Sequence, residues 1–191
     1  MIAEMPGVGP RQAGRIVRFL LHRNKEYVQK LARRIAAIHD HVRVCERCFR
    51  YDDTNDKTLC TICADRSRDT GTLVVVEKDV DVEGIESVGM YRGGYFVLGA
   101  LMPLAKQRKT VVSPRFKELL TRVEEEKNLS EIILAFATTP EGDFTARELK
   151  NTLGEKASAL RVSMLGRGLS LGAEIEYADQ ETLRNAFQGR R

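Results

Sequence analysis

The sequence predicts an α/β chain: a helical N-terminal third, a four-cysteine metal module, a parallel sheet with helices on both faces, and a Gly-rich C-terminal segment carrying one helix. Three observations predict it. The only four cysteines stand as Cys45-x2-Cys48 and Cys60-x2-Cys63. After Asp69, continuous apolar runs alternate with amphipathic stretches, as strands buried on both faces require. Before the cysteines, apolar residues recur at helical spacing amid many arginines.

Met5-Pro-Gly-Val-Gly-Pro10 reads as a turn, with Gly7 and Gly9 allowing positive φ and close approach and Pro10 suited to the first turn of a helix. That helix runs to Leu21, with Ala13, Ile16, Val17, Leu20 and Leu21 on its apolar side. Arg11, Arg15, Arg18 and His22 follow at steps of four, three and four on the opposite stripe. A second helix is expected from Lys25 to His41, with Val28, Leu31, Ile35, Ile38 and Val42 as a packing seam. In the cysteine module, Arg50 to Asp56 reads as a polar loop between two knuckles. Strands are expected at Thr72–Glu77, Tyr95–Gly99, Glu131–Ala137 and Leu160–Leu165. Helices are expected at Val80–Val88, Phe116–Lys127, Gly142–Leu153 and Gln180–Phe187, the last following an irregular Gly166–Tyr177.

Composition narrows the class. Of 191 residues, 30% are charged, and no apolar run approaches the ~20 residues of a membrane span. No apolar secretory stretch opens the chain, so a cytosolic protein is expected. Residues 1–50 carry 11 Lys and Arg against 4 Asp and Glu, so a net charge of +7 there leaves −3 on the rest of a +4 chain. A basic third on a mildly acidic body suits a localised polyanion contact; a solvated helix face is the alternative.

Two tight Cys-x2-Cys pairs suit tetrahedral thiolate coordination of Zn²⁺, with two disulfides or four unrelated thiols as alternatives. Four protein ligands leave no open position, so such a zinc is structural. Pro6-Gly-Val-Gly-Pro10 matches the helix-hairpin-helix pattern, in which free backbone N–H groups at a helix start hold a DNA phosphate; an ordinary tight turn is the alternative. Arg11 and Arg15 add charge to the same track.

Glu77 closes the first strand of the α/β part, where parallel sheets bind ligands. Toprim domains carry such a Glu together with an Asp-x-Asp-x-Asp-Gly motif that holds Mg²⁺. The corresponding stretch is Ala137-Thr-Thr-Pro-Glu-Gly142, where only Glu141 keeps an acid and Asp143 follows. Glu77, Glu141 and Asp143 would bind Mg²⁺ only weakly, so a non-catalytic Toprim-like part is expected. His22, His39 and His41 read as solvated. Gly166–Tyr177 lacks the Gly-Lys-Ser/Thr ending of a P-loop and reads as a hairpin or subunit contact.

The order of these parts resembles the bacterial RecR family over nearly the whole length. The resemblance rests on Met5-Pro-Gly-Val-Gly-Pro-Arg-Gln-Ala-Gly-Arg15, the cysteine pairs with Cys60-Thr-Ile-Cys-Ala-Asp-Arg-Ser-Arg-Asp69, Tyr91-Arg-Gly-Gly-Tyr-Phe-Val-Leu-Gly99, Glu141-Gly-Asp-Phe-Thr-Ala146 and Gly172-Ala-Glu-Ile-Glu-Tyr-Ala-Asp179. Two departures stand out: a shorter, basic stretch after Leu104 (Lys106, Arg108, Lys109) and a shorter N-terminal lead into the hairpin.

The resemblance implies a recombination mediator in four parts: a hairpin DNA-binding region at 1–43, a zinc finger at 44–69, a Toprim domain at 70–165 and an oligomer-contact segment at 166–191. It implies a ring-like homodimer or homotetramer around DNA, acting with RecO and in many bacteria RecF to load RecA, in the cytoplasm at the nucleoid. Gly7, Gly9, Arg11 and Arg15 fall to DNA; Cys45, Cys48, Cys60 and Cys63 to zinc; Glu77, Glu141 and Asp143 to RecO. Two other classes compete: a Mg²⁺-dependent Toprim nuclease or topoisomerase-like enzyme, and a zinc-stabilised scaffold without DNA contact.

Overall fold

Proline and asparagine set the helix starts of the N-terminal third. The structure, a computed structural model, describes residues 1–53, 58–104, 115–156, 160–166, 168–169 and 172–190; the basic stretch at Lys106, Arg108 and Lys109 and parts of the Gly-rich segment lie outside them. The chain divides into two units, one formed mainly by Met1–Arg43 and the other by Val44–Asp52 with Lys57–Arg191.

In the first unit a 3-10 turn (Ile2–Glu4) precedes α1 (Pro10–Leu21), α2 (Lys25–Ala36) and α3 (Ile38–His41). Gly9 caps α1 with Pro10 at its first position, and the Asn24 side chain caps α2 by accepting the Tyr27 N–H at 2.8 Å. The single helix expected from Lys25 to His41 is two, because Ala37 sits at ψ 1° and interrupts the helical geometry for one residue. No residue of α1, α2 or α3 is buried. The expected packing seam is half open, with Leu31, Ile35 and Ile38 exposed.

Strands β1 (Val42–Val44) and β2 (Tyr51–Asp53) pair as a short ribbon, so the stretch expected as a plain loop from Arg50 to Asp56 begins with a strand. In the second unit follow α4 (Thr61–Ala64), β3 (Thr72–Val76), α5 (Asp79–Val88), β4 (Gly94–Val97), α6 (Phe116–Glu125), β5 (Glu131–Ala135), α7 (Pro140–Lys156), β6 (Arg161–Met164), a 3-10 turn (Ile175–Tyr177) and α8 (Gln180–Gln188). No helix among the described residues is long and apolar enough to cross a membrane.

The sheet runs β4-β3-β5-β6, all parallel, with Val76 opposite Val97 on one side and Ala135 on the other. The chain moves outward from β3 to β4, then returns across β3 to β5. The direction of winding therefore reverses between β3 and β5, and their carboxyl ends form the switch point where such sheets bind ligands. One face packs Leu73, Val75, Phe96 and Ile132 against Leu119 of α6 and Leu149 and Leu153 of α7. The other packs Val74, Val76, Tyr95 and Val97 against Val82 of α5.

The cysteine module grips the edge strand β4. The Cys48 carbonyl accepts the Val97 N–H at 2.8 Å, adding one bond to the open edge. Phe49 packs on one face of the sheet and Ile62 on the other. Phe49 adopts φ 61°, rare for an aromatic residue, and its ring meets Phe96 edge-on at 5.3 Å. From α6, Arg122 reaches through: its Nη1 donates to the carbonyls of Tyr95 (2.7 Å) and Arg47 (3.0 Å), and its Nε to Glu126 (2.9 Å). Glu126 also accepts from Arg47 at 2.8 Å. Beyond the second knuckle, Arg68 makes two bonds to Glu86 of α5, at 2.6 and 3.0 Å, and one to the Gly93 carbonyl at 2.9 Å. Gly93 has to lack a side chain, since a Cβ there would overlap Thr72 and Tyr91.

Two outcomes follow from these locks. Arg122→Ala removes this donor from the carbonyls of Tyr95 and Arg47 and leaves Glu126 to Arg47 alone. A loss of about 3 kcal/mol in urea unfolding is expected, and a change under about 1 kcal/mol would refute the lock. Contact with Arg68 holds the Glu86 carboxyl below its ordinary value of 4.5. Its stabilising contribution is complete above that value and is lost as the pH falls through the lowered one. Glu86→Gln should therefore reduce stability at neutral pH and flatten the acid limb of a stability-versus-pH curve below 4.5.

Candidate metal centre and nucleic-acid interface

The two Cys-x2-Cys pairs each fold as a tight knuckle. In the first, the Phe49 N–H reaches the Cys45 carbonyl at 2.9 Å and the Cys45 N–H reaches the Arg50 carbonyl at 2.8 Å. In the second, the Cys60 sulfur caps α4 by accepting the Cys63 N–H at 3.4 Å. All four sulfurs lie within 4.8 Å of one another, and the Cys48–Cys60 pair stands at 3.5 Å. A tetrahedral zinc–thiolate site places its sulfurs about 3.8 Å apart, so this donor set suits a metal such as zinc. No disulfide joins them, and Cys45, Cys48 and Cys60 are buried. The Cys48 and Cys63 thiols are pushed above the ordinary thiol range, each chiefly by Cys45. Four thiolates cannot be held together without a cation, so binding one would displace protons.

At the hairpin, the Val8 N–H closes a turn onto the Met5 carbonyl at 3.0 Å, with Pro6 and Gly7 at its centre. Gly7 takes φ 75°, the left-handed position such a turn favours for glycine. Gly9 then starts α1 without a side-chain cap. The N–H groups of Arg11 and Gln12 stand in the first turn, where no intrahelical partner exists. Gly7, Gly9, Arg11 and Arg15 are all exposed. Together they set an exposed turn and uncapped first-turn N–H groups beside two guanidinium groups.

At the carboxyl edge of the sheet, Glu77 follows β3 and pairs with Lys78 at 3.4 Å. It lines a cavity of about 420 Å³ with Asp81, Ile85, Phe136 and Leu165. A second cavity of about 460 Å³ adjoins Phe136 and Leu165 and reaches Asp179, Thr182 and Asn185 at the start of α8. Glu141 and Asp143 stand in the first turn of α7, where carboxylates meet the positive end of the helix, and they line neither cavity. A Cβ at Gly142 would overlap the Ala137 carbonyl, so the backbone turns tightly where the acids are missing. Among the described residues only the four cysteines gather three or more metal-ligating atoms; Glu77, Glu141 and Asp143 do not. The weak Mg²⁺ site considered from the sequence gains no support from this geometry. His22, His39 and His41 are exposed, as expected.

Sequence reasoning missed the residues that seat the metal module. Phe49 carried no signal beyond its place after Cys48. Arg122 did carry one, since it falls three residues after Leu119 on the apolar side of α6.

Removal of the metal is expected to loosen the module's grip on β4. Cys48→Ser should abolish bound metal, measured by atomic emission, and lower Tm by about 5–10 °C. Chelation of the unaltered protein should lower Tm similarly. Full stability in a chelated, metal-free protein would rule out a structural metal.

Comparison with known proteins agrees with this layout. Residues 71–165 match the family model of the Toprim domain, residues 1–39 that of the RecR helix-hairpin-helix, and residues 168–191 that of the RecR C-terminal region. The chain is similar to proteins named recombination protein RecR. That of Roseiflexus castenholzii is 39% identical over 100% of this chain and 89% of the relative. That of Syntrophobacter fumaroxidans is 37% identical over 99% and 90%, and that of Porphyromonas gingivalis 38% over 98% and 87%. Near-complete coverage at this identity, with RecR models matching both ends of the chain, shows that it belongs to the RecR family of recombination proteins.

Proposed function

We propose that this chain is a non-catalytic, DNA-holding clamp and adaptor in recombinational repair. The observation that carries it is the hairpin: a left-handed Gly7, an uncapped helix start at Gly9, and exposed Arg11 and Arg15 on the same helix. Outward N–H groups and guanidinium groups bind phosphate oxygens without regard to base sequence. The family adds the expectation of a homodimer or homotetramer that encloses DNA, acting in the cytoplasm with RecO, and with RecF where it is present, to load RecA.

In this reading 1–43 binds DNA and Cys45, Cys48, Cys60 and Cys63 hold a structural Zn²⁺ in 44–69. The Toprim part, 70–165, presents Glu77, Glu141 and Asp143 to a basic partner, and 166–191 joins subunits. The −3 balance outside the first 50 residues supports attraction of such a partner. Ala137 and Thr139 replace the acids that Mg²⁺ chemistry uses, which favours binding over catalysis.

A salt titration of DNA binding, with mass followed by light scattering, tests the proposal. Arg11→Ala with Arg15→Ala should weaken binding uniformly across sequences and lower the slope of log K against log salt by up to about two. Mg²⁺ should produce no cleavage in either protein. Unchanged binding by a folded double variant, or turnover abolished by Glu77→Gln, would overturn it.

A further inference from the structure

The α1–α2 turn gathers an exposed aromatic cluster that phosphate binding does not use. Phe19 lies two helical turns beyond Arg11 and one beyond Arg15, so Arg11, Arg15 and Phe19 follow each other at steps of four along one stripe. The Asn24 cap turns the chain so that Tyr27, one turn into α2, meets Phe19 edge-on at 6.2 Å and 80°. Arg23 sits between them, its guanidinium 4.5 Å from the Phe19 centroid and 5.4 Å from that of Tyr27. The rings are 45% and 43% exposed. Isolated surface aromatics are ordinary, but two rings held around one arginine form a patch. Among the described residues Arg23 has no acidic partner, so its charge remains available to a phosphate.

We propose that Phe19, Arg23 and Tyr27 form a stacking platform for unpaired DNA bases, continuous with the phosphate track of Arg11 and Arg15. This inference rests on the DNA-binding reading above and adds strand preference to it. A positive track beside aromatic faces is the pairing of features by which proteins hold single strands: phosphates follow the charges and bases lie on the rings. The separation suits that division, since Phe19 stands about 12 Å along the helix from Arg11. In a duplex the bases are already stacked on each other, so the rings gain nothing there. Single strands and single-strand–duplex junctions are the occupants that use the whole surface.

The test compares the full-length protein on oligothymidylate, on an abasic strand of the same length and on duplex DNA, with mass followed in parallel. The intact single strand should bind about fivefold to a hundredfold more tightly than the abasic one. A 2-aminopurine placed in the strand should change emission on binding. Phe19→Leu with Tyr27→Leu keeps apolar volume but removes the π-faces. It should erase that preference while duplex binding and oligomeric mass stay unchanged. Equal binding of intact and abasic strands by the unaltered protein overturns the platform, and needs no variant to show it. If Arg11→Ala with Arg15→Ala still weakens binding in that case, the phosphate track survives without the platform. If that variant also binds normally, both fall. A change of mass in the leucine variant would assign the rings to a subunit contact and also overturn the platform.

Discussion

The edge of strand β4 is the constraint on which the second unit depends. A parallel sheet built from β3, β4, β5 and β6 leaves a row of unpaired backbone groups at β4, an invitation to pair with another chain. The cysteine module meets that edge with a hydrogen bond from Val97 to Cys48 and with Phe49 and Ile62 on opposite faces. It has little core of its own: its buried cluster is Cys45, Cys48 and Cys60, with Leu59, Ile62 and Cys63 packed around them. The module therefore needs cross-linking from within and anchoring from without. Four convergent sulfurs would provide the first when bridged by a metal ion. Arg122, buried at 8% exposure and bonded to carbonyls of both the module and β4, provides the second.

The same sheet explains why the acids do not form a metal site. The switch point between β3 and β5 is where a parallel sheet offers helix starts and strand ends to a ligand. Here Glu77 occupies it, but Ala137 and Thr139 bring no carboxylate to the neighbouring strand end. Glu141 and Asp143 lie in the first turn of α7, which favours them electrostatically whether or not anything binds. What remains is a cavity with acidic and apolar walls that gathers no set of metal ligands.

The N-terminal unit follows other physics. Its two long helices are strongly amphipathic in sequence, and α2 is capped by Asn24, yet none of their side chains is buried within the chain. Ile16, Val17, Leu31, Ile35 and Ile38 of its apolar stripe are each more than a third exposed. Its basic stripe is exposed as well, so chemistry at the hairpin rests on backbone geometry and charge and not on an enclosed site.

Much of this molecule is legible in its sequence. Apolar runs identified all four strands of the main sheet; β3 and β4, buried along nearly their whole length, need no alternation, whereas β6 alternates apolar residues with Arg161 and Ser163. Pro10 and helical periodicity placed the longer helices to within a few residues, apart from the break at Ala37, while the one-turn α4 went unforeseen. Spacing alone identified the four sulfurs, because a Cys-x2-Cys knuckle is a local structure. The break at Ala37 escaped because no glycine or proline marks it, and β1 and β2 escaped because three-residue strands have no period. Long-range placement needed the tertiary structure. Sequence order could not say that β3 lies between β4 and β5, that an arginine of α6 bolts the metal module to β4, or that Glu141 and Asp143 stay apart from the cavity beside Glu77. Those facts depend on which elements become neighbours, and only packing of the whole chain decides that.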